Sequence, residues 1–437
     1  MHLREKKFIL LLGDIALMYG TLALTMWVRF GEVFAEPFST HVLPFSFVYI
    51  LWLVGFYVLG LYDLSLMPSS QRFFGRFLGG LVLLFALGSA YFYLLPTTAI
   101  TPKVNLLVHV ALFGGVALLW RSLFFRKLAK LNPWRIGIFG SPRESQDLHA
   151  LIRLHGHLGF ESMIFSDLDA SLSTKIQQHR LHVIALPHLS VSDPGLMQVM
   201  YATLPMGTSY MSFAQVYEQF SKKIPLSAVD QKWFLQNVAE RHDGLYQQVK
   251  RIGDFLIAFV ILVLTLPVWL LIALAVKIED HGPAFYSQRR VGKNGRLFSI
   301  YKFRSMRKNA EVHGAQWAQK RDSRVTRVGA FLRASHLDEL PQLINVLRGD
   351  ISLVGPRPER PEFVAKLEKE IPHYHIRHLI KPGFTGWAQI NFRYARSVMD
   401  SREKFEYDLY YIKNRSLLLD VLIILKTARL FFPRSEV

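Results

Sequence analysis

The sequence predicts a membrane protein of mixed helical and α/β architecture: a bundle of four transmembrane helices, a degenerate Rossmann-like domain, and a basic α/β domain attached to a fifth apolar helix. Three observations predict it. Four apolar stretches of roughly 20 residues fill the first third, each long enough to cross a hydrocarbon core about 30 Å thick. Short β-rich runs then alternate with helical ones between residues 131 and 240. A fifth apolar stretch, 255–276, introduces a strongly basic final third. Composition agrees. A length of 437 residues suggests about three domains. Hydrophobic residues make up 51% and Phe alone numbers 33, with a mean hydropathy of +0.21. Those values exclude a disordered or fibrous chain and are too apolar for a soluble enzyme of this size. Lys+Arg outnumber Asp+Glu by 52 to 33, a net charge of +19, which narrows the partners to nucleic acid, an anionic membrane surface or phosphorylated substrates. Cys is absent, which excludes disulfides, thiol nucleophiles and Cys-based zinc sites.

The four apolar stretches are 8–28, 42–62, 77–95 and 104–120. The first is too long for a cleavable signal peptide and no small-residue cleavage site follows it. Arg4, Lys6 and Lys7 precede the first stretch, Arg72 and Arg76 lie between the second and third, and Arg121, Arg126, Lys127 and Lys130 follow the fourth. The other two loops carry little beyond Arg29 and Lys103. By the positive-inside rule, the N-terminus and everything after Trp120 face the cytoplasm. Asp14, inside the first stretch, is expected within the bundle or near one end. One acid is too little to suggest a transport path. The domain limits read as 1–128, 129–240 and 245–437, the last including the apolar helix at 251–277.

Within the middle domain, strands are expected at 135–139, 160–165, 182–186 and 209–213. The first ends in Gly137-Ile-Phe-Gly140-Ser-Pro, where a dinucleotide fold carries G-x-G-x-x-G. Phe139 and Arg143 stand where glycines would let a pyrophosphate approach the backbone. A Rossmann-like spacer, regulatory or dimerising, fits better than a nucleotide site. In the fifth stretch, Pro267 removes a backbone donor and kinks or breaks the helix. With Arg251 and Lys277 at its two ends, the stretch reads equally as a span or as a hairpin that enters one leaflet and returns. Residues 416–432 are apolar but short, interrupted by Asp420, Lys426 and Arg429, and read as an interfacial helix.

The chemistry concentrates in Thr326-Arg-Val-Gly-Ala-Phe-Leu-Arg-Ala-Ser-His-Leu-Asp-Glu-Leu-Pro-Gln-Leu-Ile-Asn-Val-Leu-Arg-Gly-Asp350. Leu337, Leu340, Ile344 and Leu347 recur at helical spacing and Gly349 is a natural stop. Ser335 is placed to cap that helix, with Asp338 and Glu339 in its first turn, where the helix dipole favours carboxylates. For an arbitrary sequence this is a cap and one surface acid. Beside Arg333 in a basic domain, the pair suits a divalent cation and a phosphoryl group together. Mg²⁺ commonly takes one or two carboxylates plus substrate phosphates, and an Asp is also a competent nucleophile through an acyl phosphate. Val354-Gly-Pro-Arg357-Pro358 presents a guanidinium on a rigid turn. Upstream, Gln288-Arg-Arg290-Val-Gly292-Lys-Asn-Gly295 reads as a glycine-punctuated turn and Tyr301-Lys302-Phe303-Arg304-Ser-Met306 as a strand. Their mix of basic and aromatic residues also suits RNA, but no nucleic-acid module accompanies it. Lys381-Pro-Gly383-Phe-Thr-Gly386-Trp387-Ala-Gln389-Ile-Asn391 is a second rigid loop. His373, His375 and His378 read as solvated or headgroup-facing side chains, since no carboxylate at ligand spacing joins them.

These motifs, in this order from about Lys250 to residue 432, resemble the bacterial sugar transferase family, the monotopic polyprenol phosphate phosphoglycosyl transferases. The four-span bundle and the α/β domain also look like the large members that begin exopolysaccharide, capsule or O-antigen units. The resemblance implies a cytoplasm-facing enzyme of the bacterial inner membrane that moves glucose 1-phosphate or galactose 1-phosphate from a UDP-hexose to undecaprenyl phosphate, releasing UMP. It implies that Asp338 is the nucleophile, that Glu339 and Mg²⁺ assist, with Asp338 and Glu339 as the metal ligands, and that Arg333 and Arg357 neutralise phosphate charge. Lys302, Arg304, Arg290 and Gln389 complete the substrate-binding candidates. It also implies a re-entrant helix bent at Pro267, a homodimer, and no nucleic-acid partner. Two departures stand out: Leu266-Pro267 replaces the usual Ser-Pro at the helix break, and His336 occupies a position where Ser or Thr is usual. Two other classes remain, a non-catalytic scaffold for polysaccharide enzymes, told apart by UMP release, and a membrane-tethered RNA binder, told apart by steep salt dependence.

Overall fold

Long apolar runs satisfy their own backbone hydrogen bonds only as helices once they leave water, and helices dominate this chain. The computed structural model describes residues 3–64, 68, 70–94, 103–131, 133–140, 142–166, 169, 171–187, 194–238, 244–307, 322–392 and 397–428. Residue 95, Ser141 and the expected end of the last helix at 429–432 lie outside the described residues. The chain divides into two units, Met1–Ser221 and Lys222–Val437.

The first unit opens with α1 (Leu3–Phe30), α2 (Ala35–Val58), α3 (Gln71–Leu94) and α4 (Lys103–Arg126). All four are long and apolar enough to cross a membrane. α1 packs on α2 and α4, and α3 on the same two. Phe8, Phe47, Phe74, Val82 and Leu119 stay exposed on the outer faces, as lipid contact demands. Inside, polar groups find partners across helices. Trp52 Nε1 donates to the carbonyl of Leu84 at 2.9 Å. Tyr49 donates to Met18 O at 3.0 Å and meets His109 Nε2 at 3.0 Å. Asp14 is fully buried and paired with Arg121 at 2.5 Å, whose guanidinium also donates to Leu61 O at 2.7 Å. Its place is therefore within the packed helices rather than at an end.

A parallel four-stranded sheet follows, with strand order β2-β1-β3-β4. The strands are β1 (Trp134–Phe139), β2 (Phe160–Phe165), β3 (Val183–Leu186) and β4 (Ser209–Ser212), close to the expected positions. α5 (Pro142–Arg153), α6 (Leu172–His179), α7 (Pro194–Ala202) and α8 (Phe213–Ser221) alternate with them. Alternate residues of β1 serve two cores: Ile136 and Ile138 join Leu148, Ile152 and Phe220, whereas Phe139 joins Leu172, Ile176 and Leu186. A Cβ on Gly140 would lie 2.9 Å from both Phe213 Cζ and Pro187 Cγ, so this glycine serves close packing. The buried Lys6 ammonium ties α1 to this domain, donating to Ala129 O at 2.8 Å and also to Leu158 O.

The second unit begins with α9 (Gln231–Asn237) and α10 (Gly244–Asp280), a helix of 37 residues that includes Pro267. Its mean rise makes it about 55 Å long. An antiparallel hairpin, β5 (Phe285–Val291) and β6 (Leu297–Phe303), turns through the Gly292–Gly295 segment. Then come α11 (Arg327–Ala334), α12 (Gln342–Arg348), β7 (Ser352–Val354), α13 (Pro361–Glu370), β8 (Gly383–Thr385), α14 (Trp387–Asn391), α15 (Val398–Asn414) and α16 (Leu417–Ala428). β7 and β8 pair in parallel.

Both ends of α10 grip this fold. At one end, Arg251 donates to the carbonyls of Val346 and Leu347 at 2.5 and 2.7 Å, and Asp254 accepts from Ser352 Oγ at 2.6 Å. At the other, Ile272 and Val276 pack with Phe303 and Leu332, while Glu279 accepts from the backbone N–H groups of Arg327 and Val328. Between them Val263, Leu264, Leu266, Leu270 and Leu271 are exposed. α16 differs from the expected interfacial helix in one respect. Asp420 is buried and accepts from Lys250, Tyr246 and Tyr411 at 2.6–2.9 Å, so it anchors the helix instead of interrupting an apolar face.

Removing one partner of a buried pair strands the other charge, at a cost of about 3 kcal/mol or more. Arg121→Ala is therefore expected to lower the thermal midpoint of the detergent-solubilised protein strongly, and Asp14→Leu/Arg121→Leu together to restore part of it. Equal midpoints for Arg121→Ala and the unaltered chain would contradict the buried pair.

Candidate active site

The Asp338-Glu339 pair lies on a single 3₁₀ turn, Leu337–Glu339, between α11 and α12. Thr326 caps α11 by accepting from Gly329 N at 2.9 Å. Ser335 ends that helix rather than beginning the next, its hydroxyl donating back to Phe331 O at 2.8 Å and Leu332 O at 3.2 Å. The expected N-cap role for Ser335 is thus corrected. The physical cause is His336, whose left-handed φ of 56° stops α11 and allows no continuous helix through the pair. α12 ends where expected, at Gly349 with φ 89°, a conformation that glycine adopts without steric cost. Its buried face is formed by Gln342, Leu343, Asn345 and Val346, while Leu337, Leu340, Ile344 and Leu347 are only half-buried.

Both carboxylates are buried, at 7% and 8% exposure, but their surroundings differ. Glu339 Oε1 accepts from Lys302 Nζ at 2.7 Å and from Arg357 Nη2, and Oε2 accepts from Arg357 Nη1 at 3.2 Å. Burial alone would push Glu339 up, yet the charges and hydrogen bonds of Arg357 and Lys302 hold it well below the usual carboxylate range. Glu339 in turn raises Arg357. Asp338 accepts no hydrogen bond among the described residues. Burial raises it, the charge of Glu339 adds to that, and Lys302, Arg357 and Arg333 offset it through space. One carboxylate is clamped and ionised, and the other stands free beside three cations.

The two clamping cations are themselves held. Lys302 is on β6, which Asn345 ties to α12: its Oδ1 accepts from Tyr301 N at 3.1 Å and its Nδ2 donates to Ser299 O at 2.8 Å. Arg357 stands on the turn after β7. There Gly383 N donates to Pro356 O at 2.9 Å, Arg377 Nη2 to Arg357 O at 3.0 Å and Arg290 Nη1 to Pro358 O at 3.1 Å. Behind the turn, burial would raise Glu359, but Lys404 and Arg377 pull it down to about 2.

Of the expected site residues, Glu339, Lys302 and Arg357 come together in direct contact, Asp338 beside them feels Lys302, Arg357 and Arg333 through space, and Arg290 supports the Arg357 turn. Arg304 and Gln389 neither hydrogen-bond nor ion-pair with the dyad. Arg304 packs against Gly282, and Gln389 Nε2 donates to Phe384 O at 3.1 Å. The donor set fits a Mg²⁺ ion. Asp338 has both oxygens free of hydrogen bonds, Glu339 retains lone-pair capacity beyond its three bonds, and substrate phosphates would complete the shell. No group of three or more His, Cys, Asp or Glu at metal-binding distance occurs among the described residues. His373 packs on the Phe234 ring with centroids 5.0 Å apart. His378 turns Nε2 inward without a partner, and burial with the neighbouring Arg377 and His375 charges lowers it to about 4. His378 is thus not the solvated side chain expected, whereas His375 is exposed as expected and His373 is half-buried. Glu359, Arg377, Lys404 and Asp408 were not singled out from the sequence, since the pairs they form are 18–45 residues apart and no spacing marks them.

A family described as bacterial sugar transferase matches residues 245–434. Over 185 residues the chain is 52% identical to a UDP-N-acetylgalactosamine-undecaprenyl-phosphate N-acetylgalactosaminephosphotransferase of Aeromonas hydrophila, covering 42% of this chain and 44% of that protein. Over 190 residues it is 46% identical to a UDP-glucose:undecaprenyl-phosphate glucose-1-phosphate transferase of Xanthomonas campestris pv. campestris, covering 43% of this chain and 39% of the other. It is also 41% identical over 187 residues to an exopolysaccharide production protein of Rhizobium leguminosarum bv. phaseoli, covering 41% of this chain and 92% of that protein. The match thus spans less than half the length of the first two relatives.

A depressed carboxylate stabilises the fold above its unfolded pKa and loses that contribution as pH falls through the folded one. Glu359→Gln is therefore expected to lower the thermal midpoint by roughly 5 °C at pH 7. The gap should narrow as pH falls from 4.5 toward about 2. Thermal scans from pH 7 to 3 that show a constant gap would contradict the assignment.

Proposed function

The chain belongs to the bacterial sugar transferase family, and from that premise we propose that it transfers a hexose 1-phosphate from a UDP-hexose to undecaprenyl phosphate with release of UMP. The observation that carries this reading is the division between the carboxylates: Asp338 free of hydrogen bonds among the described residues, Glu339 held by Lys302 and Arg357. An ionised Asp338 Oδ attacks the β-phosphorus of the donor, forming an Asp–O–P bond. The bond from that phosphorus to the bridging oxygen breaks, and UMP departs with the electron pair. An oxygen of the lipid phosphate then attacks the same phosphorus, and the Asp338 carboxylate leaves, restored. Lys302, Arg333 and Arg357 neutralise charge on the phosphoryl oxygens, the main work of such sites. Mg²⁺, when bound by Asp338 and Glu339 with the diphosphate, supplies Lewis-acid polarisation and charge neutralisation.

On this reading α10 is re-entrant, entering one leaflet and returning through a bend at Pro267. Support comes from its two ends, which are both held by one catalytic fold while the apolar residues between them are exposed. The catalytic unit then faces the cytoplasm at the inner membrane, where the polyprenyl phosphate presents its headgroup. Glucose and galactose are the proposed hexoses, and the Aeromonas relative's name adds N-acetylgalactosamine to the donors worth testing.

Purified protein in lipid vesicles is expected to release UMP from at least one of UDP-glucose, UDP-galactose and UDP-N-acetylgalactosamine when given undecaprenyl phosphate. Asp338→Asn should abolish release and any sugar-phosphate label retained by the denatured protein. Glu339→Gln should slow release by on the order of 10²-fold. Full turnover by the Asp338 variant would overturn the nucleophile, and no release from any donor would overturn the reaction.

A further inference from the structure

We propose that Arg377 is a positioning residue for the transfer reaction: it holds the backbone carbonyl of Arg357 and so aims the guanidinium that clamps Glu339. The inference rests on the reading of the dyad as the transfer site. Arg377 lies in the 3₁₀ segment Tyr374–Leu379, and its side chain is 2% exposed, as is that of its partner Asp408 on α15. One nitrogen, Nη2, donates both to Asp408 Oδ2 at 2.9 Å and to Arg357 O at 3.0 Å. The other, Nη1, donates to the Tyr374 hydroxyl and lies 3.9 Å from Glu359 Oε1.

A buried ion pair is weak evidence for stability, because desolvating two charges costs about what their attraction returns. The Arg377–Asp408 pair therefore calls for a reason beyond holding the unit together, and its geometry supplies one. Arg357 is flanked by Pro356 and Pro358, which offer no N–H donor. The turn is accordingly fixed through its carbonyls, each met by a donor from another segment: Gly383 N on Pro356, Arg377 on Arg357, Arg290 on Pro358. Among the described residues, Arg377 is the donor that meets the backbone carbonyl of residue 357. It hydrogen-bonds neither dyad carboxylate, so its effect passes through the Arg357 main chain. A planar guanidinium serves a carboxylate and a carbonyl from fixed directions, which a lysine ammonium on a flexible stem does not reproduce.

The test is a double-mutant cycle on the full chain in lipid vesicles, read as kcat/KM for UMP release with undecaprenyl phosphate and the best UDP-sugar. Arg377→Lys, which keeps the charge opposite Asp408, is expected to lower kcat/KM by about tenfold, the scale of a small misplacement of a charge-stabilising group. In an Arg357→Lys background the same change should cost less than about twofold, because the group it positions is already altered. Asp408→Asn loosens the same anchor and should show the same dependence on background, which keeps the test open if Arg377→Lys folds poorly. Equal losses in both backgrounds, or no loss from Arg377→Lys in a well-folded protein, would overturn the positioning role while leaving the reaction intact. A wild-type chain that releases no UMP would overturn the reaction reading and this one with it.

Discussion

The structure of the second unit turns on one contact: the Glu339 carboxylate between Lys302 and Arg357. A buried carboxylate without partners would give up its charge. Here two cations from two different elements keep it, and in doing so they bring the β6 strand and the Val354–Pro358 turn to the same point. Asp338, one residue away, then stands in a field already positive, with no hydrogen bond to spend its lone pairs on. The asymmetry between neighbouring acids is set by what reaches them, since their backbone environment is a single short turn.

What supplies those cations extends well beyond the dyad. Asn345 registers the strand that carries Lys302 by imitating a backbone pair with Ser299 and Tyr301. The carbonyls around Arg357 are held by donors from three other segments. Such over-determination is what a charge-stabilising site needs, because a group displaced by an ångström loses much of its effect. It also gives a reason for the polar cluster of Arg290, Glu359, Arg377, Lys404 and Asp408, of which Arg377 and Asp408 are buried, where apolar packing would fold as well.

Much of this was legible in the sequence, and the failures are instructive. Hydrophobic length announced α1 to α4 and α10, and β-rich runs announced the four parallel strands, since both depend on local pattern. The dyad, Lys302 and Arg357 stood in compact motifs and come together. Ser335 was misread because the left-handed turn at His336 is a backbone choice that no residue type there announces. Asp420 was read as an interruption, but its partners Lys250 and Tyr246 are 170 and 174 residues away. Arg377 escaped notice for a similar reason, standing between histidines that drew the eye while its partner Asp408 is 31 residues on. Long-range ion pairs leave no periodic trace.

The clasping of α10 at both ends has a consequence for the lipid around it. A free helix answers a thicker or thinner bilayer by changing its tilt. This one has little such freedom, because Arg251 and Asp254 hold one end to α12 and β7 while Glu279 and Val276 hold the other near α11. On the re-entrant reading, a change in how deep the apolar middle sits in its leaflet pulls on both clasps at once. The depth of that middle in lipid and the geometry of the fold carrying the dyad are, on that reading, mechanically linked through the two clasps.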